Sequence, residues 1–397
     1  MTLLNAERLY ATMERNGLDA IVATSPENVT YSSGYWALSQ WIRRGPQTYV
    51  IWPARGRGAP RIVASAGLLD LLADQEVNVE DVSKFGAFFV AVDGDAELSA
   101  ADRRQADLYG LPDDGNANVS LAAALTEMGL GKARIGVDEG GLAPALDAFS
   151  PEWSEDATVL PAFQVFRQVR AVKTEEEIAR LGKAAAIAEA SIEAALRIAA
   201  PGVSEAEMGL EFNLETVRQG GLPVLYCIGT GPRSAMPNVQ PGERKLKDGD
   251  IIRFDVGGRY KHYRADIARI AVLGTPTQKI RTYHNALYKG VERGLELLRP
   301  GARAAEIFDA VVETVRQEGI PHYQRSHVGH GIGLDGYDLP SLSPGSADII
   351  EEGMVLCVET PYYELGFGGL QVENMVVVRA DGIQSLMGTD GKLRILS

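Results

Sequence analysis

The sequence predicts an α+β protein with two domains, an α/β domain over residues 1–165 and a second domain of helices and strands over residues 166–397. Short apolar runs alternate with helical stretches in the first part, which is typical of α/β domains. In the second part a capping motif opens a long helix near residue 174. Two nine-residue segments of that part are identical at four positions, a weak echo that indicates two similar halves.

The first domain opens with a helix and then a strand. Residues 5–16 are amphipathic, and the apolar run 18–23 stops at the turn sequence 25–28. Further segments predict three strands and a helix, at 48–52, 61–64, 134–138 and 119–128. An aromatic cluster follows the first strand and either packs in the core or reaches the site of a neighbouring subunit; its members are Tyr31, Tyr35, Trp36 and Trp41.

The second domain begins at a helix whose first turn carries a capping box. Thr174 and Glu177 stand three positions apart, so each side chain can bind an amide that the first turn leaves free. The segments 200–208 and 299–307 share Pro, Gly, Ala and Glu at matching positions. We interpret this echo as two similar halves of helices over strands that face each other across a central cleft.

Composition excludes several classes of function. The chain has 39 Lys and Arg against 53 Asp and Glu, a net charge of −14, and its basic residues are scattered, so no nucleic-acid partner is expected. No run of about 18 apolar residues occurs, so no membrane or export segment is expected. Cys227 and Cys357 both lie in apolar runs, and we interpret them as buried core thiols of a cytoplasmic protein.

Four acidic residues lie within or beside apolar, strand-like runs, where an unpaired carboxylate is costly. Asp255 and Asp266 are eleven positions apart around a turn, and Glu359 and Glu373 are fourteen apart around the glycine-rich segment 365–369. Antiparallel hairpins would set each pair opposite one another on one face. Because carboxylates in that position repel each other, the pattern predicts a bound cation.

His330 lies in a glycine-rich run and adds one nitrogen donor to the four carboxylates. Such a donor set suits Mn²⁺, Co²⁺, Fe²⁺ or Zn²⁺, and bridging carboxylates make a two-metal site. The donor set therefore predicts a site for divalent metal and leaves the identity of the metal open among these ions.

The motifs that hold these five residues resemble those of the pita-bread metallopeptidases, which include Xaa-Pro dipeptidase (prolidase), aminopeptidase P, methionine aminopeptidase and the metal-free creatinase. They read FDVGG, RADIAR, GHGIG, VETP and QVEN, and the block at 229–241 is similar to the stretch before the first ligand in prolidases. The likeness covers the whole chain. It implies a creatinase-like N-terminal domain, a C-terminal pita-bread domain of duplicated helices over a curved antiparallel sheet, and a homodimer.

The resemblance also implies a role for each residue. Asp255 would chelate one metal ion, His330 would bind the other, and Asp266 and Glu373 would bridge the two. Glu359 would bind metal and serve the attacking water as general base. The implied activity is hydrolysis of a C–N amide bond in a small dipeptide or proline-like substrate.

Two positions depart from the family's pattern. Tyr337 stands where these peptidases carry a histidine seven positions after the metal-binding one, and Asn238 or Val239 stands where another histidine precedes the first ligand. Tyr and Asn donate hydrogen bonds but do not titrate near neutral pH. We expect Tyr337 and Asn238 to contact substrate and Tyr337 to lie at the catalytic centre. His327, three before His330, is a candidate to supply the missing imidazole in binding and catalysis.

Three functions stay open at this point. The leading one is an Xaa-Pro dipeptidase or aminopeptidase. The second is a non-peptidase pita-bread enzyme that acts on a small amide, amidine or osmolyte, with Tyr337 and Asn238 shaping its pocket. The third is a binding module without catalysis, which five intact ligands disfavour. The remaining histidines have no supporting constellation and are expected at the surface or in turns: His262, His284 and His322.

Overall fold

The computed structural model describes residues 2–42, 47–95, 97–141 and 156–397. The chain divides into two compact units, Met1–Arg170 and Ala171–Ser397. In the described part of the first unit the helices, numbered in chain order, are α1 (Ala6–Arg15), α2 (Pro26–Ser33), α3 (Leu38–Trp41), α4 (Leu69–Asp74), α5 (Ala100–Tyr109), α6 (Ala117–Glu127) and α7 (Phe163–Arg170). Residue 165, the boundary predicted from the sequence, lies in α7.

The first unit is built on one mixed six-stranded sheet. Its strands are β1 (Ala20–Ala23), β2 (Tyr49–Pro53), β3 (Arg61–Ser65), β4 (Asp81–Phe85), β5 (Arg134–Val137) and β6 (Thr158–Pro161), in the spatial order β4-β3-β2-β1-β5-β6. Strand β1 is buried along its whole length, pairs antiparallel with β2 and parallel with β5. A strand covered on both faces is continuously apolar, and that explains the run seen in the sequence.

The aromatic cluster after β1 divides between core and surface. Tyr31 and Tyr35 are fully buried, and the Tyr35 hydroxyl donates to the carbonyl of Leu68 at 2.9 Å. These two tyrosines therefore pack in the core of their own unit. Trp36 and Trp41 are half-buried.

The second unit contains four helices in its described residues, α8 (Glu175–Arg197), α9 (Glu205–Arg218), α10 (Gln278–Leu297) and α11 (Ala304–Gln317). Its strands are β7 (Leu222–Thr230), β8 (Ile251–Tyr260), β9 (Tyr263–Arg264), β10 (Ile267–Leu273), β11 (Gly329–Gly331), β12 (Asp338–Ser341), β13 (Val355–Glu359), β14 (Tyr362–Glu364), β15 (Gly368–Leu370), β16 (Glu373–Arg379), β17 (Gly382–Ser385) and β18 (Arg394–Leu396). None of the described helices is both long and apolar enough to span a membrane.

Ten of these strands form one sheet, whose main path runs β12-β11-β13-β16-β10-β8-β7. Neighbours along this path pair antiparallel. Four predicted ligands lie on β8, β11, β13 and β16, and Asp266 directly precedes β10. These five strands are consecutive neighbours along the path. This placement brings side chains from five distant segments to one region of the sheet.

The echo in the sequence corresponds to a structural duplication. Helix α9 and helix α11 each follow a Pro-Gly turn, and Gly202 and Gly301 have positive φ of 93° and 87° at matching positions. The N–H of Gly202 donates to the carbonyl of Leu246, and that of Gly301 donates to the carbonyl of Ile350, both at 2.9 Å. Helices α8 and α9 pack together, as do α10 and α11.

His284 does not lie at the surface, as expected from the sequence, but is 4% exposed on α10. It continues the buried stripe of Ile280, Leu287 and Val291, and its spacing from Ile280 is one helical turn. Burial lowers the pKa of His284 to about 4, so it stays neutral at physiological pH. The prediction was wrong because histidine was weighed apart from the helical period around it.

Candidate metal centre

Asp255 and Asp266 approach each other across the hairpin of β8 and β10, but they are not direct partners. Asp255 is paired with Ala268, so Asp266 lies diagonally from it just before β10. The two-residue turn falls at Lys261 and His262, both with positive φ. Direct pairing of Asp255 with Asp266 would require a turn centred one position earlier. A shift of the turn by one residue moves the partner by two, which keeps both carboxylates on the same face.

Glu359 and Glu373 are direct cross-strand partners on β13 and β16, as their spacing predicts. Strand β11 pairs with the other edge of β13 and places His330 opposite Cys357. Because residues two apart share a face of a strand, Cys357 and Glu359 lie on the same side of β13. The histidine, the thiol and both glutamates therefore share one face of the sheet.

The ligating atoms of this region lie close together. One carboxylate oxygen from each of Asp255, Asp266 and Glu373 lies within 4.8 Å of the other two. The Nε2 atom of His330 is 3.9 Å from Oδ2 of Asp266 and 3.9 Å from Oε1 of Glu373. The Nδ1 atom lies 3.0 Å from the carbonyl oxygen of Gly331, so an N–H donated there leaves the Nε2 lone pair facing the carboxylates.

The charges of this cluster are poorly compensated by the protein itself. Burial raises the pKa of Asp266 and of Glu373 well above the usual range, and repulsion from the neighbouring carboxylates raises both further. Burial also raises the pKa of Asp255 to about 6, although Arg253 opposes that rise. Oδ1 of Asp266 is buried and accepts no hydrogen bond in the described structure. An orphaned oxygen among repelling carboxylates fits a divalent cation.

Glu359 has a different environment from the other acids. Burial favours its neutral form, but contact with His327 and the charge of Arg325 outweigh burial and lower its pKa. Nε2 of His327 lies 2.8 Å from Oε1 of Glu359, off the line of a well-aligned hydrogen bond. Nη2 of Arg325 lies 3.9 Å from Oε2. Glu359 is therefore held ionised beside an imidazole.

Arg253 is a fully buried cation next to Asp255, and sequence reasoning did not single it out. Its Nη1 donates to Oδ2 of Asp255 at 3.1 Å and to Oε1 of Gln371 at 3.0 Å. The other N–H groups donate to three backbone carbonyls of the neighbouring segment, those of Ser234, Met236 and Pro237. All five guanidinium donors thus have acceptors, which fixes this segment against β8, the strand that carries Asp255.

A cavity of about 280 Å³ opens onto the cluster. The ring of Tyr337 stacks on that of His330, with centroids 4.0 Å apart and an interplanar angle of 28°. Tyr337 itself is 60% exposed. Every site residue predicted from the sequence lines this one cavity, namely Asn238, Asp255, Asp266, His327, His330, Tyr337, Glu359 and Glu373.

Four further lining residues were missed, Pro237, Arg325, Tyr363 and Gln371. A signal existed for Gln371 and for Arg253, because each stands two positions before a predicted ligand and hence on the same strand face. Arg325 lies in a loop, where side-chain direction cannot be read from spacing.

Comparison with known families accounts for both units. Residues 179–380 match the metallopeptidase family M24, and residues 6–172 match the creatinase/prolidase N-terminal domain. The chain therefore belongs to metallopeptidase family M24. Members of a metallopeptidase family bind divalent metal ions, so the family implies such ions for this chain.

Two relatives illustrate the similarity in sequence. The Xaa-Pro dipeptidase of Pyrococcus furiosus is 29% identical over 231 residues, which is 58% of this chain and 66% of that protein, just under two thirds of its length. The uncharacterized peptidase YqhT of Bacillus subtilis is 24% identical over 395 residues, 99% of this chain and 100% of that protein.

Solved structures show the same fold over nearly the whole chain. An Xaa-Pro dipeptidase from Bacillus anthracis superposes with a TM-score of 0.80 at 22% identity and covers 98% of each chain. An X-Pro aminopeptidase from Thermotoga maritima MSB8 gives a TM-score of 0.77 at 21% identity and covers 99% of each. These likenesses confirm the predicted α+β fold, a creatinase-like domain followed by a pita-bread domain.

Proposed function

We propose that the protein is a dinuclear metal-dependent hydrolase that cleaves the C–N amide bond of Xaa-Pro dipeptides. The observation that carries this proposal is the convergence of four carboxylates and His330 on one cavity. A volume of about 280 Å³ lies just below the usual range of ligand pockets, which begins at roughly 300 Å³. The name of the Pyrococcus furiosus relative adds support for the substrate class.

The proposed ligands divide between two ions. Asp255 would hold one ion, His330 and Glu359 would hold the other, and Asp266 and Glu373 would be shared by both. When bound, the ions would lower the pKa of a water molecule and stabilise the negative charge that develops on the carbonyl oxygen. Because oxygen donors dominate, Mn²⁺ is the leading candidate, with Co²⁺, Zn²⁺ and Fe²⁺ as alternatives.

Proton transfer is assigned to Glu359 and His327. Glu359 accepts the proton of the attacking water, for which its lowered pKa keeps it ionised. His327 lies 2.8 Å from Glu359, close enough to take a proton on towards the leaving nitrogen. Tyr337 and Asn238 on the cavity wall donate hydrogen bonds to the substrate.

Arg325 is the residue that we assign to the substrate carboxylate. It carries a permanent positive charge, which none of the other described lining residues does, and its guanidinium lies beside Glu359. In an Xaa-Pro dipeptide the carboxylate is attached to the carbon next to the scissile nitrogen. Guanidinium groups bind carboxylates through paired hydrogen bonds. An arginine close to the general base therefore suits a dipeptide, whose carboxylate lies next to the scissile bond, better than a longer chain.

Steady-state kinetics with Gly-Pro and Gly-Pro-amide test this assignment. The wild type should prefer the free acid, and Arg325→Met should raise KM for Gly-Pro by about tenfold or more while KM for the amide changes little. Arg325→Lys is the matched control and should keep part of the preference. No hydrolysis of any Xaa-Pro dipeptide by the Mn²⁺-loaded protein would count against the function itself.

A non-peptidase reaction on a small amide, amidine or osmolyte is the second candidate. It is favoured by Tyr337, whose phenol stacks on His330 where the family's pattern has a second histidine. Burial raises the pKa of this phenol, so it stays protonated and serves as a donor rather than a base. A panel of non-peptide amides and zwitterionic osmolytes beside Xaa-Pro dipeptides separates the two candidates.

We also propose a cytoplasmic homodimer that uses neither nucleic acid nor a membrane as partner. The half-buried Trp36 and Trp41 leave aromatic surface that a second copy could cover. Light scattering at micromolar concentration should give twice the mass of one chain, and a monomer would refute this point.

A further inference from the structure

A thiol that the proposed function does not use lies beside the carboxylate cluster. Cys357 is on β13, opposite His330 on β11 and two residues before Glu359. Its Sγ atom, a ring nitrogen of His330 and a carboxylate oxygen of Glu373 all lie within 4.8 Å of one another. The three residues are 0%, 3% and 2% exposed, so this group of donors is buried.

This group differs chemically from the other group of donors in the same cluster. Asp255, Asp266 and Glu373 offer oxygen alone, which suits hard ions such as Mn²⁺. His330, Cys357 and Glu373 offer nitrogen, sulfur and oxygen, the donor set of Zn²⁺ and other thiophilic ions. Glu373 belongs to both groups, as a carboxylate between two ions would.

The distances are compatible with one ion. Zinc–sulfur bonds are about 2.3 Å long and zinc–nitrogen bonds about 2.1 Å, so two such donors lie at most ~4.4 Å apart. Separations within 4.8 Å need adjustments of a few tenths of an ångström. The thiol now donates a long hydrogen bond to the carbonyl of Asp266 at 3.5 Å, which is weak and readily replaced.

We propose that Cys357 is a metal ligand, so that one of the two metal positions binds a thiophilic divalent ion through Cys357, His330 and Glu373. This inference rests on the metal site of the proposed function. As the metal–sulfur bond forms, the thiol loses its proton to solvent, and the charge of the ion compensates the thiolate in its buried surroundings. The oxygen-only position keeps its preference for Mn²⁺.

Cadmium titration of the full-length, metal-free protein tests the proposal, because Cd²⁺–thiolate bonds give an ultraviolet charge-transfer band. The band should appear in the wild type and be absent in Cys357→Ser, whose Cd²⁺ affinity should fall by at least ~10-fold. Mn²⁺ binding, followed by electron paramagnetic resonance, should change little in the same variant. Cys227→Ser is the matched control, because Cys227 is the other buried thiol and lies opposite Asp255 on β7.

Three results would overturn the proposal: a wild-type band that persists in Cys357→Ser, a band lost in Cys227→Ser, or bound Cd²⁺ without a band in the wild type. Each of them leaves the proposed function standing. A wild type that binds neither Cd²⁺ nor Mn²⁺ would overturn the proposed function as well. Circular dichroism checks that each variant is folded, and Cys357→Ala replaces Cys357→Ser if the serine variant is not.

Discussion

The two sides of the acidic cluster are neutralised in different ways. On one side, Asp255 contacts the buried guanidinium of Arg253 at 3.1 Å, and its pKa is raised only to about 6. On the other side, Asp266 and Glu373 lie between neighbouring carboxylates, and burial drives their pKa well above the usual range. The protein thus sets a guanidinium in contact with Asp255, whereas Arg264 and Arg269 lower the pKa of Asp266 and Glu373 by less than burial and the neighbouring carboxylates raise it.

For the proposed metal site, this difference predicts which carboxylates depend most on metal. A buried charge with a partner is stable without a ligand, whereas buried carboxylates that repel each other must take up protons or bind a cation. Asp255 therefore belongs to the framework of the site, since Arg253 joins it to the wall segment at Ser234–Pro237. Asp266 and Glu373 are the residues where metal binding gains most.

The largest effect on metal binding and activity is expected when Asp266 or Glu373 is replaced by its neutral amide. Asp266→Asn or Glu373→Gln should lose both ions and reduce kcat/KM by roughly 10³-fold or more, because a bridging carboxylate contacts both ions and metals supply several kcal/mol of catalysis. Asp255→Asn is the comparison variant and should retain one ion. Metal analysis of the dialysed proteins checks this, and full metal content in Asp266→Asn would show that this carboxylate does not bridge.

Replacement of Tyr337, whose ring stacks on His330, tests which class of substrate the site accepts. If Xaa-Pro dipeptides are the substrate, Tyr337→His should raise kcat/KM for Gly-Pro towards the roughly 10²-fold that a positioned acid–base group contributes. If a different small molecule is the substrate, the same change should lower activity on it and create little peptidase activity. Strong wild-type activity on Gly-Pro that is lost in Tyr337→His would mean that tyrosine itself performs the proton transfer.

Replacement of Arg253 tests the side of the cluster on which this arginine compensates the charge of Asp255. Arg253→Met should lower the free energy of unfolding of metal-free protein by about 3–5 kcal/mol, the usual cost of breaking a buried ion pair. The loss should be smaller with saturating Mn²⁺, because the ion then offsets the charge of Asp255. Urea unfolding with and without Mn²⁺ measures both values.

The control for that experiment is Arg244→Met, which breaks a part-buried pair with Asp250 outside the cavity. Its loss of stability should not depend on Mn²⁺. Equal losses for Arg253→Met with and without Mn²⁺ would contradict the idea that Arg253 acts as a substitute for part of the metal charge.

A smaller effect is expected at Glu177, a buried acid away from the cavity. Burial raises its pKa to about 7, so the folded state binds a proton more readily than the unfolded state, and stability falls as pH rises from about 4.5 to about 7. Glu177→Gln should remove this loss and gain up to about 3 kcal/mol relative to wild type between pH 4.5 and 8. Tyr263, which now donates to Glu177 at 3.1 Å, can accept from the amide instead.

Glu175→Gln is the matched control in the same helical turn. A hydrogen bond from Arg379 lowers the pKa of Glu175, so the wild type gains stability as pH rises through the acid range. Glu175→Gln lacks this gain and should therefore become less stable relative to the wild type. Thermal unfolding across pH measures both variants. A gain for Glu177→Gln that does not depend on pH would show that Glu177 is already ionised in the folded protein.

The sequence was sufficient to single out the four candidate carboxylates, because each lies within or beside an apolar, strand-like run. Asp255, Asp266, Glu359 and Glu373 could be found in this way, and all four line the cavity. The register of Asp255 and Asp266 could not be read, because it depends on where a two-residue turn of non-glycine residues forms.

The cations that lie beside the carboxylates could not be predicted from the sequence for a related reason. Arg253 contacts Gln371, 118 positions away, and Arg325 reaches Glu359 from a loop. Such pairs depend on which strands become neighbours, and local periodicity carries no information about that. Cys357 was correctly placed in the core by its apolar run, but its distance to His330 follows only from the pairing of β11 and β13.

The central claim is that the carboxylate–histidine cluster holds the metal on which hydrolysis depends. Its most direct test is to strip the protein with a chelator, add back Mn²⁺, and measure bound metal and Gly-Pro hydrolysis on the same sample. The account predicts about two ions per chain at saturation, no hydrolysis before metal is added, and activity that rises with occupancy. Hydrolysis that persists in the stripped protein, or saturation of the cluster without any hydrolysis of Gly-Pro or the amide panel, would contradict it.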